Sequence, residues 1–333
     1  MTVVWIAFFT FVALLLALDL FVLNREDHVP RTREALAQTS LWVALGLGFS
    51  GVVYLLYAND IPAVETEPRR AVITYLTGYL VELSLSMDNV FVIALIFSFF
   101  RVPAEYQHRV LFWGILGAFV FRLAMIFAGV WLLEQFDWMF YVFGALLLFS
   151  AYKMVRGGEE VHPSENPVIR LAKRLMPVTK DYHGHDFFVR RRGITAATPL
   201  FIALLMVETT DVIFAVDSIP AILGITTDSF LVFSSNILAL LGLRSLYFVL
   251  SSMIDKFAYL KYSLALILVF VGVKMLLHGT LHLPDWVSLV VIFVLLVGGV
   301  VLSLLHRPAP GAPRDPTEIE RKPAATDRRE VAE

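Results

Sequence analysis

The 333-residue chain is 58% apolar and 17% charged, with a mean hydropathy of +0.73, a composition that excludes an ordinary water-soluble globule. It has no cysteine, which excludes disulfides, thiolate metal sites, iron–sulfur ligation and cysteine nucleophiles. The net charge of -2 carries little information in such a chain, where the distribution of charge matters more.

In chain order, apolar runs predict nine membrane spans at 3–23, 39–57, 71–98, 109–133, 138–155, 199–224, 229–253, 258–277 and 286–305. Each is close to the roughly 20 residues that a helix needs to cross a bilayer. The first run has no Lys or Arg before it and so lacks the basic start of a signal peptide; it reads as a true span. With the N-terminus outside, about 22 of the 27 Lys and Arg residues fall on or beside inside segments, which orients the chain N-out and C-in. The expected organisation is a two-span hairpin (1–70), a three-span unit (71–155), a basic cytoplasmic loop (156–198), a second three-span unit (199–277), a ninth span (278–306) and a disordered tail (307–333). The loop carries His162, His183, His185 and Asp186. It reads as a solvated segment near the headgroups, with metal sensing by the histidines as the weaker alternative, and His278 and His282 are read as equally bland.

The two three-span units resemble each other. Glu82 and Asp88 are six residues apart and followed by Asn89; Asp211 and Asp217 are six apart and followed by Ser218. Gly114 leads to Arg122, and Asn236 to Arg244, with the same offset of eight; Lys153-Met154 and Lys274-Met275 close the copies. An odd number of spans per unit inserts the second copy from the opposite side, the inverted-repeat architecture of secondary transporters. The fold expected is therefore an all-α polytopic membrane protein with two inverted three-helix repeats.

Five carboxylates, Glu82, Asp88, Glu208, Asp211 and Asp217, sit inside these apolar runs. Each costs roughly 3 kcal/mol to insert, so they must face the protein interior and find partners. At 100° per residue, Glu82, Ser86 and Asn89 share a face, as do Glu208, Asp211, Ala215 and Ser218, with Asp88 and Asp217 set aside. Pro220 removes the helical donor to the Val216 carbonyl, which could then serve as a ligand, and a local break could swing Asp217 toward Asp211. Such oxygens suit hard divalent cations: Mn²⁺, Mg²⁺ or Ca²⁺. The competing reading is neutralisation by Arg122, Arg244 and Lys274; five negative charges against three positive leave two, the charge of one divalent ion. Protonation could balance them equally. Arg122 and Arg244 read chiefly as structural partners or gates, Met87 as packing rather than a soft ligand, and Asp19 as ambiguous.

At these motifs the chain resembles the TerC family, particularly its Alx-like branch, over roughly residues 5–305. The resemblance rests on GYLVELSLSMDNVFV from Gly78, VETTDVIFAVDSIPA from Val207, SNILALLGLR from Ser235, and Asp19 with Arg25 in the first hairpin. It implies Mn²⁺ export across a bacterial inner membrane, within the LysE-type exporter group and with an association with tellurite resistance. Glu82, Asp88, Asn89, Glu208, Asp211 and Asp217 occupy the family's acidic positions. The expected cargo is Mn²⁺, with proton exchange compatible with carboxylates as ligands and no organic cofactor. The partners are the bilayer and the ion, without nucleic acid, and the oligomeric state stays open. A membrane scaffold that delivers metal or assists membrane-protein assembly is the alternative. An enzyme is not expected, since neither a Gly-x-Gly-Asp string nor a His-Glu-x-x-His motif is present.

Overall fold

The computed structural model describes residues 2–19, 32–59, 61, 66–156, 166–191, 194–251, 260–278 and 283–305. His162, His282, Arg25 and the 307–333 tail lie outside these residues. The described helices are α1 (Thr2–Leu18), α2 (Thr32–Ala58), α3 (Pro68–Phe100), α4 (Ala104–Gln135), α5 (Met139–Arg156), α6 (Pro167–Leu175), α7 (Pro199–Leu223), α8 (Ser229–Leu241), α9 (Leu243–Ser251), α10 (Leu260–Leu276) and α11 (Asp285–Leu305). A hairpin of β1 (Phe188–Arg191) and β2 (Ile194–Ala197) precedes α7.

Within the described residues each expected span falls on helix, and length and apolarity sort these helices. Among the described residues six helices are long and apolar enough to span, or seven if α8 and α9 count as one bent span. The described parts of α1 and α10 have 17 residues each, about 26 Å of helix against a hydrocarbon core of roughly 30 Å. The expected unbroken span at 229–253 is bent by 45° where α8 meets α9 at Gly242. Glycine weakens a helix interior, and Trp42 of α2 packs against this point: a Cβ at 242 would lie 3.3 Å from the Trp42 Cβ.

The segment read as a plain loop contains structure. Asn166 caps α6 by accepting from the backbone N–H groups of Val168 (2.9 Å) and Ile169 (3.4 Å), with Pro167 pre-set at the first helical position. The hairpin pairs Phe188 with Ala197. Around it, Tyr182 donates to the Phe100 carbonyl at 2.8 Å, and the Arg109 guanidinium lies 5.1 Å from the Phe187 ring centre. The segment thus seals the α3–α4 turn. Burial holds the Tyr182 phenol above its ordinary value, which keeps it a donor there.

Alpha-3 is the hub, in contact with α2, α7, α8, α9 and α11, and it buries the largest share of its apolar window. Helices α4 and α7 pack together, as do α3 and α8, and α5 lies along α10. The α5–α10 crossing is a backbone contact: a Cβ on Gly144 would meet the Gly272 carbonyl oxygen at 2.9 Å, and a Cβ on Gly272 the Gly144 oxygen at 3.0 Å. Such an approach admits no side chain at either position. Trp5, Phe8 and Phe9 of α1 meet Phe230 and Phe233 of α8 in an aromatic cluster. Outward faces carry Leu95, Phe149, Trp131 and Val294, as suits helices bathed in lipid.

Candidate functional site: two polar centres between α3 and α7

The acids do not form one ring. They divide into two centres, and among the described residues no three His, Asp or Glu side chains converge closely enough to hold a metal between them.

The first centre surrounds Arg122, which is fully buried. Its Nη1 donates to Glu82 Oε1 and, at 3.1 Å, to Asn236 Oδ1, while Nη2 donates to Asp211 Oδ1 at 3.2 Å. Asn236 Nδ2 donates to Glu82 Oε2 at 2.7 Å, and Ser86 Oγ donates to Glu82 Oε1 at 3.3 Å. Helix phase explains the set. Glu82, Arg122 and Asp211 each lie within about three residues of their helix midpoint, so the guanidinium meets both carboxylates at one depth. Glu208, one turn before Asp211, lies against α4: any Cβ on Gly117 would collide with its carboxylate. Glu208 Oε2, Asp211 Oδ2 and Arg122 Nε are buried without a hydrogen-bond partner. Glu82 and Asp211 thus form ion pairs with Arg122, the arrangement that the competing reading of these two acids expects.

The second centre is a cavity lined by Leu85, Asp88 and Asn89 of α3, Phe214, Asp217 and Ser218 of α7, Ser150 and Met154 of α5, and Leu268 of α10. Its volume is about 20 Å³, room for one water or one monatomic ion. Ser150 Oγ donates to Asp217 Oδ1 at 2.5 Å. Ser218 is 2% exposed, and its Oγ has no hydrogen-bond partner. Two carboxylates, a carboxamide, two hydroxyls and a thioether thus border one small space. Oxygen donors of this kind suit a hard or borderline divalent cation, and the sulfur adds a softer donor.

Several expectations change. Asn89 and Ser218 were grouped with Glu82 and Asp211 by helical phase, yet both border the second cavity with Asp88 and Asp217. Asp217 turns to Ser150 on α5 instead of swinging toward Asp211, and α7 continues through Pro220 to Leu223 without a break. The Val216 side chain is 42% exposed, on the outer face of α7. Of the three expected counter-charges, Arg122 meets Glu82 and Asp211. Arg244 donates to Asp19 at 2.8 Å, tying α9 to the end of α1, and Lys274 donates to Ser288 of α11 at 3.2 Å. Met87 is partly buried against the core. His185 meets the Tyr106 ring edge-on at 4.7 Å, and His278 stacks on Phe140 at 3.9 Å. Ser150 and Met154 are not marked by the acidic motifs; the available signals are a hydroxyl interrupting the apolar run three residues before Lys153, and the place of Met154 in the Lys153-Met154 pair that closes the first unit.

The chain matches the model of the integral membrane protein TerC family over residues 67–309. It is 46% identical over 317 residues to membrane protein STKORF319 of Myxococcus xanthus, covering 95% of this chain and 96% of that one. It is 45% identical over 301 residues to Alx of Escherichia coli strain K12, covering 90% and 93%; the name of that protein proposes it as a membrane-bound redox modulator. A membrane protein of Rickettsia bellii is 38% identical over 304 residues, covering 91% and 97%. No solved structure matches. With the acidic strings of α3 and α7 inside the matched region, this chain belongs to the TerC family of integral membrane proteins and has Alx among its near relatives.

Proposed function

We propose that the protein exports Mn²⁺ across the bacterial inner membrane, with the Asp88–Asp217 cavity as the ion site. The observation that carries this reading is that the corresponding aspartates of the two motifs border one cavity sized for an ion. The lining is paired across the units: Leu85 with Phe214, Asp88 with Asp217, Asn89 with Ser218, each 129 residues apart (214 − 85, 217 − 88, 218 − 89). Two carboxylates match the charge of a divalent ion, while Asn89, Ser150 and Ser218 supply neutral oxygens. Manganese in particular comes from the family resemblance; the Met154 thioether is a donor that Ca²⁺ and Mg²⁺ would not favour.

Nine spans in two inverted repeats, N-out and C-in, complete the proposal. The helix contacts support it, because exchanging α3 with α7, α4 with α8–α9 and α5 with α10 turns the α3–α8 contact into the α7–α4 contact. The same exchange maps the α5–α10 crossing onto itself. Alternating access would open the cavity to each side in turn, and proton uptake by Asp88 or Asp217 would release the ion outward. The redox description of the Alx relatives fits an indirect effect through metal content, since this chain has no thiol to offer.

Metal-resolved flux in proteoliposomes containing only this protein tests the proposal. Mn²⁺ transport should be present and lost in Asp88→Asn and Asp217→Asn at normal protein levels. Wild-type flux in either variant removes the cavity as the ion site, and no flux in the parent favours the scaffold that delivers metal or assists assembly.

A further inference from the structure

Among the described helices α6 is the most sharply two-sided, and the ion site makes no use of it. Ile169 and Ala172 are buried where α6 packs on α7. Beside that contact runs an apolar ridge left open: Val168 is 39%, Leu171 56% and Leu175 74% exposed. At 100° per residue the three ridge residues span about 60° of the helix surface. Arg174 stands at the ridge's open edge, Arg170 follows, and Lys173 points to the far side. All three cations are exposed, and α6 has no acidic residue.

Depth places this ridge at a lipid boundary. Asn166, the cap of α6, puts its Nδ2 3.4 Å from the sulfur of Met206. Met206 lies seven residues into α7, about 10 Å along its axis. Alpha-7 has 25 residues, roughly 37 Å of helix, which exceeds a hydrocarbon core of about 30 Å by two turns at most. The start of α6 therefore lies within about 10 Å of the level where α7 leaves the acyl region. An apolar ridge facing water there would be costly, whereas the same ridge in the headgroup–acyl boundary is the usual seat of an amphipathic helix with a basic edge.

We propose that α6 is an interfacial helix that seats Val168, Leu171 and Leu175 in the bilayer and binds anionic phospholipid headgroups through Arg174 and Arg170. Lys173, on the far side, takes little part. This depends only on the chain being embedded in a membrane, not on its cargo or orientation.

The absence of cysteine makes the test direct. Leu171→Cys in the full chain is labelled with bimane and reconstituted in phosphatidylcholine vesicles, with or without phosphatidylglycerol. The label should be quenched by lipids brominated on the acyl chain and little by iodide, with brominated phosphatidylglycerol quenching more than phosphatidylcholine at equal mole fraction. Arg170→Gln and Arg174→Gln should each reduce that preference, by roughly fivefold per charge, and Lys173→Gln by much less. Iodide quenching without lipid quenching would place the ridge in water and overturn the proposal. Protection from both quenchers would mean that protein covers the ridge, a second copy or another segment, and would overturn it equally. Lipid contact with no preference for the anionic headgroup, or a preference that survives loss of both arginines, would refute the headgroup site.

Discussion

Arg122→Gln should destabilise the protein far more than any loss of transport function would require. The guanidinium is fully buried and shared between Glu82, 1% exposed, and Asp211, 9% exposed. Glutamine keeps a donor but removes the charge, leaving two carboxylates facing each other in a water-poor interior. Removing one partner of a buried pair costs about 3–5 kcal/mol, because the other charge stays buried. At on the order of 2 °C per kcal/mol for a large domain, the melting temperature in detergent should fall by roughly 6–10 °C. Glu82→Gln added to Arg122→Gln removes one orphaned charge and keeps an amide that Asn236 and Ser86 can still reach. The double variant should recover about half of the loss. The measurement is thermal unfolding of purified single and double variants side by side. A single variant that melts with the wild type, or a double variant less stable than the single, would refute the network as a stabilising element. It would also return Glu82 and Asp211 to the ion site.

Ser150→Ala removes a hydroxyl that donates to Asp217 and should weaken Mn²⁺ affinity several-fold while leaving the melting temperature within about 2 °C, because the hydrogen bond is half-exposed and worth roughly 1 kcal/mol; equilibrium binding beside unfolding checks both. Gly144→Val drives a side chain into the Gly272 carbonyl and should cost about 1–3 kcal/mol by forcing α5 from α10, whereas Gly48→Ala, with nothing within 4 Å, should be neutral or slightly stabilising in the same unfolding assay. Pro220→Ala restores a helical donor to the Val216 carbonyl inside α7; stability should rise while Mn²⁺ turnover falls, less than in Asp217→Asn. Unchanged turnover would assign Pro220 to packing alone.

Much of the helical content was legible because bilayer length and apolarity act locally, and each expected span falls on helix. The depth of the acids was legible too, since midpoints of apolar runs are midpoints of helices: Asp211 is the middle residue of α7. What a single helix cannot reveal is which neighbour meets which face. Periodicity grouped Asn89 with Glu82, but α5 arrives on the Asp88 side and draws Asn89 into its cavity. Arg244 resembles Arg122 in spacing, yet its partner Asp19 is 225 positions earlier in the chain, beyond any local pattern. At the bend, Gly242 meets Trp42, again a contact from far along the chain. Helix α6 escaped notice for a different reason: nine residues are too few for periodicity to stand out from a basic loop.

The two buried arginines also impose an order on biogenesis. Glu82 lies 18 residues before the end of α3 and Arg122 18 residues after the start of α4 (100 − 82, 122 − 104), so a simple helical hairpin brings them to the same level. A hairpin entering the membrane can therefore carry its acid and base as a neutral pair, before α7 and α8 have been synthesised. Asp211 and Asn236 then dock on a charge already accommodated. Asp19 meets an arginine of α9, made 225 residues later. That contact between the first helix and the second unit can form only once α9 has been made. The Asp19–Arg244 pair therefore reports that α9 has docked on the first helix.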